Sequence, residues 1–236
     1  MNFSSDNATG VAPQIMAALA AANEGHAMAY GNDGITKVAE ATFTELFQQE
    51  LAVFPVATGT AANALALSAL TPPWGQIYCH RNAHIEEDEA GAPELFSGGA
   101  KLALLDGAHG KIAAETLADA IAGAGFGVQH HPQPSAISLT QATEAGTAYQ
   151  PDEVAALAKI AHGAGLSVHM DGARFANAVA YLGCSPAEAT WKAGVDVLSF
   201  GATKNGAMAA EAVIFFDPDA AGDFLYRRKR GGHLFS

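Results

Sequence analysis

Three short stretches of the sequence hold residue types that could do chemistry together. Thr58-Gly59-Thr60 follows an apolar run, Leu51 to Val56, and opens an Ala/Leu-rich one that ends at Leu70. Hydroxyls and free backbone N–H groups at a helix start suit an anion, and Gly59 lets a phosphate oxygen come close to the backbone. An ordinary N-cap with a turn glycine has the same pattern. Asp171 and Arg174 flank Gly172 directly after the stretch Ser167 to Met170. That pair reads either as a ligand-binding acid with a guanidinium beside it or as a plain ion pair. Lys204 stands just past a third such stretch, amid Ser199, Gly201, Thr203 and Gly206. Lysine there can be desolvated, which favours its neutral, nucleophilic form and Schiff-base chemistry. A loop lysine reaching water is the plainer reading.

These stretches need elements to bring them together. Residues 13–22 read as a helix with Pro13 in its first turn. Residues 37–50 read as a second, capped by Thr36, with Ala39, Phe43, Leu46 and Phe47 on one face. Pro151 opens another, whose face is Val154, Leu157, Ala158 and Ala161. Short apolar runs at 51–56, 77–79, 102–105, 137–140, 167–170, 195–199 and 212–216 read as strands. The alternation predicts an α/β fold, three-layered, with a mainly parallel central sheet. Ligands of such sheets sit at the C-terminal strand ends, where all three stretches lie. An anion cradle, an acid and an amine are together what pyridoxal 5'-phosphate needs, for its phosphate, its pyridine nitrogen and its aldehyde.

Other sites are weaker. The chain has no Gly-x-x-x-x-Gly-Lys-Ser/Thr loop, and the run Gly123 to Gly127 follows a helical stretch, as a C-cap and turn would. Cys79, His80 and His84 lie near Glu86, Glu87, Asp88 and Glu89, but with neither a HExxH motif nor Cys-x-x-Cys pairs. No metal is expected there, and the acidic run reads as a partly solvated turn.

Composition bounds the rest. The 236 residues are 50% hydrophobic and 15% charged, which suits a folded domain with a sizeable core. A net charge of -12 argues against nucleic acid and anionic membrane surfaces as partners. No apolar run reaches the ~18 residues of a membrane span. Met1 to Asp6 lacks the pattern of a signal peptide. Two cysteines make no disulfide framework, so a cytoplasmic protein is expected. Arg227 to Arg230 hold four of the twelve basic residues and read either as a solvated helix end or as the approach to an inter-subunit loop.

Taken in order, Thr58 to Asn63, Ala83-His84 with Glu89-Ala90-Gly91, His169-x-Asp171-Gly172-Ala173-Arg174 and Thr203-Lys204 resemble the threonine aldolases. These are fold-type-I pyridoxal-phosphate enzymes of the β-eliminating lyase group. Ser5-Asp6-Asn7 and Tyr30 to Thr36 resemble the family's opening motifs, and the resemblance runs from Phe3 to Ser236. It implies the large domain of the aspartate aminotransferase fold, with an N-terminal arm over about residues 1–35. It also implies retro-aldol cleavage of L-threonine, L-allo-threonine or a related β-hydroxy-α-amino acid to glycine and an aldehyde.

By the same resemblance, Lys204 carries the cofactor, Asp171 pairs with its ring nitrogen and His84 stacks on its ring. Gly59 and Thr60 hold its phosphate. Arg174 meets either the cofactor's 3'-oxygen side or the substrate carboxylate. Ser5 touches that carboxylate, and Tyr30 either reaches across a dimer interface or is a plain turn aromatic before Gly31. Where the family has Thr-His-x-Gly, this chain has Thr143-Glu144-Ala145-Gly146, which makes Glu144 the candidate base. The resemblance further implies a homodimer or homotetramer, and a small C-terminal domain expected to lie outside this chain. Another lyase or transaminase reaction on the same scaffold stays open, as does a cofactor-binding fragment without turnover.

Overall fold

The apolar runs pair into one seven-stranded sheet. In the computed structural model, which describes residues 4–236, the strands are β1 (Ala52–Val56), β2 (Gly75–His80), β3 (Lys101–Leu105), β4 (Gln133–Thr140), β5 (Ser167–Gly172), β6 (Val197–Gly201) and β7 (Glu211–Phe215). Their order across the sheet is β1-β7-β6-β5-β4-β2-β3. The pairs from β6 to β3 are all parallel, whereas β7 runs antiparallel to both β6 and β1. The sheet is therefore mainly parallel, as expected. The reversal of β7 follows from the short link Ala202–Ala210, since a parallel return needs a crossover of a dozen or more residues.

Alternation along each strand splits the core into layers. In β7, Val213 and Phe215 face α3 (Gly59–Leu70) and pack with Ala62, Leu65 and Ala66. Ala212 and Ile214 face the other way, into a larger core with Phe47, Leu117, Leu157 and Phe175. That second layer belongs to α2 (Gly34–Phe47), α6 (Ala114–Ala122), α7 (Pro151–Gly163) and α8 (Phe175–Leu182). Two sheet faces covered by helices make the three-layer α/β fold. No helix among the described residues is long and apolar enough to cross a membrane.

Local chemistry sets the helix starts. α1 spans Pro13–Ala22, as the sequence predicts. α2 starts earlier than its pattern suggests. The Asp33 side chain accepts from the Thr36 backbone N–H at 2.8 Å and from its hydroxyl at 2.7 Å, so Asp33 is the cap and Thr36 lies inside the first turn. An aspartate is an N-cap as good as a threonine, and the helix takes the one upstream. Gly123 ends α6, as expected.

Candidate active site

Four strand ends and one helix start meet at a single cavity of about 430 Å³. α3 begins directly after β1. The Thr58 side chain accepts from Ala61 N at 3.1 Å, and the first intrahelical bond runs from Ala62 N to Thr58 O. The N–H groups of Gly59 and Thr60 therefore precede the helical ladder and stay free for an anion. A Cβ built on Gly59 would meet nothing within 4 Å, so the space beside it is open.

Asp171 sits at the end of β5 and is 3% exposed. Its Oδ1 accepts from Ala173 N at 3.0 Å and its Oδ2 from Asn63 Nδ2 at 2.9 Å. Both donors are neutral, so the buried acid has a structural cradle and no cation within hydrogen-bond reach among the described residues. Lys204 lies on the single turn Thr203–Asn205 after β6 and lines the same cavity. Among the described residues its ammonium makes no ion pair. Gly201 lets this turn approach Asp171: a Cβ there would lie 2.6 Å from the Ala173 carbonyl oxygen, too close to exist.

His84 opens α4 (His84–Glu87) and also lines the cavity. Its Nδ1 meets Glu89 Oε1 at 2.9 Å. Glu89 in turn accepts from Asn63 Nδ2 at 2.8 Å. One asparagine on α3 thus bridges two buried carboxylates, those of Glu89 and Asp171. Burial pushes the Glu89 carboxyl up, although the hydrogen bonds from His84 and Asn63 act the other way. The hydrogen bond to Glu89 raises the His84 imidazole, against its own desolvation. Both shifts have one meaning: the pair keeps its proton to higher pH than a free imidazole does. Beneath Asp171, His169 is fully buried and joins Ser138 Oγ to Ser199 Oγ, at 2.9 Å each, across three adjacent strands. Burial drives its pKa down to about 4, so it is a neutral strut.

Arg174 and Glu144 complete the rim. Arg174 donates to Asp6 through Nε at 2.6 Å and Nη2 at 3.2 Å, which ties the N-terminal segment to the site. Glu144 lies in the turn after β4, where burial first and Asp171 second push its carboxyl up.

Of the nine residues given a role from sequence, seven line this cavity: Gly59, Thr60, His84, Glu144, Asp171, Arg174 and Lys204. Two do not. Ser5 is exposed and accepts from Asn7 N at 3.2 Å, capping a short turn, while its neighbour Asn7 lines the cavity. Tyr30 lies in a separate pocket with His233 and Phe235, where the Lys229 ammonium sits 5.1 Å from its ring. The acidic run is only partly solvated, in line with its reading. Glu86, Glu87 and Asp88 are exposed, but Glu89 is buried in the network above. His80 bonds Gly107 O and Asn82 N instead of pointing to His84. Asn63 and Glu89 lie in the motifs that carry the resemblance but were given no role, and Glu211 lies outside them. The signal for Asn63 was present: it is a lone amide in an Ala/Leu helix.

Comparison with known proteins follows from this geometry. The family model described as beta-eliminating lyase matches residues 2–236. The chain belongs to the beta-eliminating lyase family. It is 50% identical over 234 residues to the low specificity L-threonine aldolase of Pseudomonas aeruginosa, covering 99% of this chain and 67% of that protein. A solved threonine aldolase of Leishmania major superimposes with a TM-score of 0.91 at 27% identity, over 98% of this chain and 67% of its own. A cystathione gamma lyase of Micromonospora echinospora matches at a TM-score of 0.66 and 19% identity, over 87% of this chain and 49% of its own. The fold of this family member is that of the fold-type-I pyridoxal-phosphate enzymes.

Proposed function

We propose that this beta-eliminating lyase family member binds pyridoxal 5'-phosphate and cleaves L-threonine, L-allo-threonine or a related β-hydroxy-α-amino acid to glycine and an aldehyde. The observation that carries the reading is the convergence of Lys204, Asp171 and the start of α3 on one cavity. Three features fit the cofactor. Asp171 is a buried acid whose hydrogen-bond partners among the described residues are neutral, which suits a cationic ring N–H. The open space beside Gly59 adjoins free N–H groups, which suits a phosphate. Lys204 is a cavity-lining amine without an ion-pair partner among the described residues, which suits an aldehyde. The 50% identity to a low specificity L-threonine aldolase supports the reaction.

When bound, the cofactor supplies an electron sink for the pair released at Cα. The chain's own residues do the rest. The Asp171 carboxyl, fixed by Asn63 and Ala173, would face the ring nitrogen of the bound cofactor. His84 offers a flat imidazole over that space, oriented by Glu89. The β-hydroxyl proton must leave as the Cα–Cβ bond breaks and the β-carbon becomes a carbonyl. Glu144 takes it, because burial gives this carboxylate more proton affinity than a solvated one; Cα takes up one proton in turn to complete glycine, and Glu144 returns its own to solvent. Arg174, oriented by Asp6, presents the rest of its guanidinium to the cofactor's 3'-oxygen side or the substrate carboxylate.

The same reading expects a homodimer or homotetramer. None of α1 is buried, and Met16 and Leu19 are each 46% exposed, so an apolar face is available to a second copy. Sedimentation at micromolar concentration checks this, and a monodisperse monomer contradicts it. The activity itself is tested by adding pyridoxal 5'-phosphate and L-threonine. Acetaldehyde and glycine should appear in equal amounts, and Lys204→Ala should abolish both the visible absorbance and the products. Pyruvate from serine with no aldehyde from threonine would assign a different lyase reaction.

A further inference from the structure

Glu211 begins β7, the strand that lies between β1 and β6. In register it pairs with Val56 on one side and Gly201 on the other. β1 leads into the Thr58-Gly59-Thr60 turn and β6 into the Lys204 turn. One carboxylate thus stands between the anion cradle and the amine, and it lines the same cavity. Nothing in the chemistry above uses it.

The link that carries Lys204 is closed at its neck. Ala202 N donates to Ala210 O at 3.0 Å, and Thr203 Oγ1 accepts from Ala210 N at 3.1 Å. Within it, Asn205 N donates to Ala202 O at 2.9 Å. Thr203 lines the cavity beside Glu211, and its polar groups favour the ionised carboxylate. Burial outweighs them and pushes the Glu211 carboxyl up. The charged groups facing it are Lys204, on the adjoining turn, and Asp171, at the end of β5. β1 and α3, packed beside it, carry no charged residue.

We propose that Glu211 is a positioning residue for Lys204: its carboxylate, together with Thr203, fixes the turn that presents the amine to the cavity. Lysine has a flexible four-carbon stem, so a mobile turn would spread its amine over many positions. An amine that must meet an aldehyde in one geometry gains from a backbone held at both ends. This inference rests on reading Lys204 as the cofactor-bearing amine.

The test is the rate at which the full chain acquires visible absorbance on mixing with pyridoxal 5'-phosphate, across pH 5 to 9. Glu211→Gln should slow capture roughly 10-fold at pH 7.5. Thr203→Val should slow it comparably, Thr203→Ser should restore it, and the double variant should be no slower than the slower single one, because the two residues act as a unit. The wild-type profile should carry an extra fall as pH drops through the raised Glu211 value, since protonation costs Thr203 an acceptor. That step should vanish in Glu211→Gln, while any slope both proteins share belongs to the amine.

A Glu211→Gln protein with wild-type rate and profile would overturn the inference, as would losses that multiply in the double variant. If Glu211→Gln fails to melt cooperatively, the Thr203→Val and Thr203→Ser pair decides: a slow Val variant rescued by Ser supports the clamp, and two wild-type rates overturn it. Wild-type protein that gains no Lys204-dependent absorbance overturns the underlying reading of the site as well. Normal wild-type absorbance with a normal Glu211→Gln overturns this inference alone.

Discussion

Asp6 and Arg174, 168 positions apart in sequence, meet in a two-pronged ion pair with Nε to Oδ2 at 2.6 Å and Nη2 to Oδ1 at 3.2 Å. The pair commits one edge of the guanidinium to the protein and leaves the rest for a ligand. It also joins the N-terminal segment to the strand end that carries Asp171. The Arg174 hydrogen bond holds the Asp6 carboxyl below its ordinary range. A depressed acid stabilises the fold above the ordinary aspartate value, and that contribution is lost as pH falls through the depressed one. Both side chains are about one-third exposed, so the stabilisation is about 1 kcal/mol or less. Asp6→Asn should therefore barely change Tm at pH 7. It should raise the KM for the amino acid by roughly 10-fold, through loss of a charge-assisted orienting contact. An unchanged KM would detach Asp6 from substrate binding.

Glu89 controls the charge of His84. Its hydrogen bond is the largest cause of the raised imidazole pKa, with smaller support from Asp171 and Glu144. A histidine raised in this way contributes stability below its ordinary value near 6.5, and loses it as pH rises through the folded-state value. In Glu89→Gln the His84 titration, followed by NMR of the ring protons, should move to lower pH. A titration that stays in place would assign the shift to Asp171 or Glu144.

Glu144 should set the acid limb of the rate profile. Burial and the Asp171 charge raise its carboxyl, so activity limited by its ionised form falls as pH drops through a value above the ordinary 4.5. Glu144→Gln should lower kcat by about 100-fold or more and flatten that limb. An acid limb that survives in the variant would give the β-hydroxyl proton to another group.

Much of this was legible in sequence, for physical reasons. Strand interiors such as Ile77 and Val168 are buried on both faces, so they read as continuous apolar runs. Lys204, Asp171 and Thr58 stood out because polar groups placed directly after such runs fall on one edge of the sheet. What escaped depended on contacts between distant segments. The pairing of β1 with β7 joins the first strand to the last, and local pattern says nothing of that. Glu89 looked like one of four acids in a partly solvated run, and only the arrival of Asn63 and His84 in space shows that it is the buried one. Ser5 and Tyr30 were read from resemblance alone, and their roles depend on a substrate and a second copy of the chain.

Asn63 is where the fold's stability and the site's chemistry meet. It is 2% exposed, on the face of α3 against the sheet, and its one amide nitrogen serves both Glu89 and Asp171. Asn63→Ala would remove that donor from two buried carboxylates. Asp171 would keep only Ala173 N, Glu89 only His84, and the two like charges would lose the dipole between them. Leaving buried acceptors unsatisfied costs about 2 kcal/mol. In a domain of this size that lowers Tm by roughly 4–8 °C. Adding Glu89→Gln to Asn63→Ala removes one of the stranded charges, so the double variant should recover part of the loss. Melting curves at pH 7 for the two singles and the double decide the matter. A double variant that loses the full sum of the singles would show that Asn63 acts by packing rather than by bridging the carboxylates.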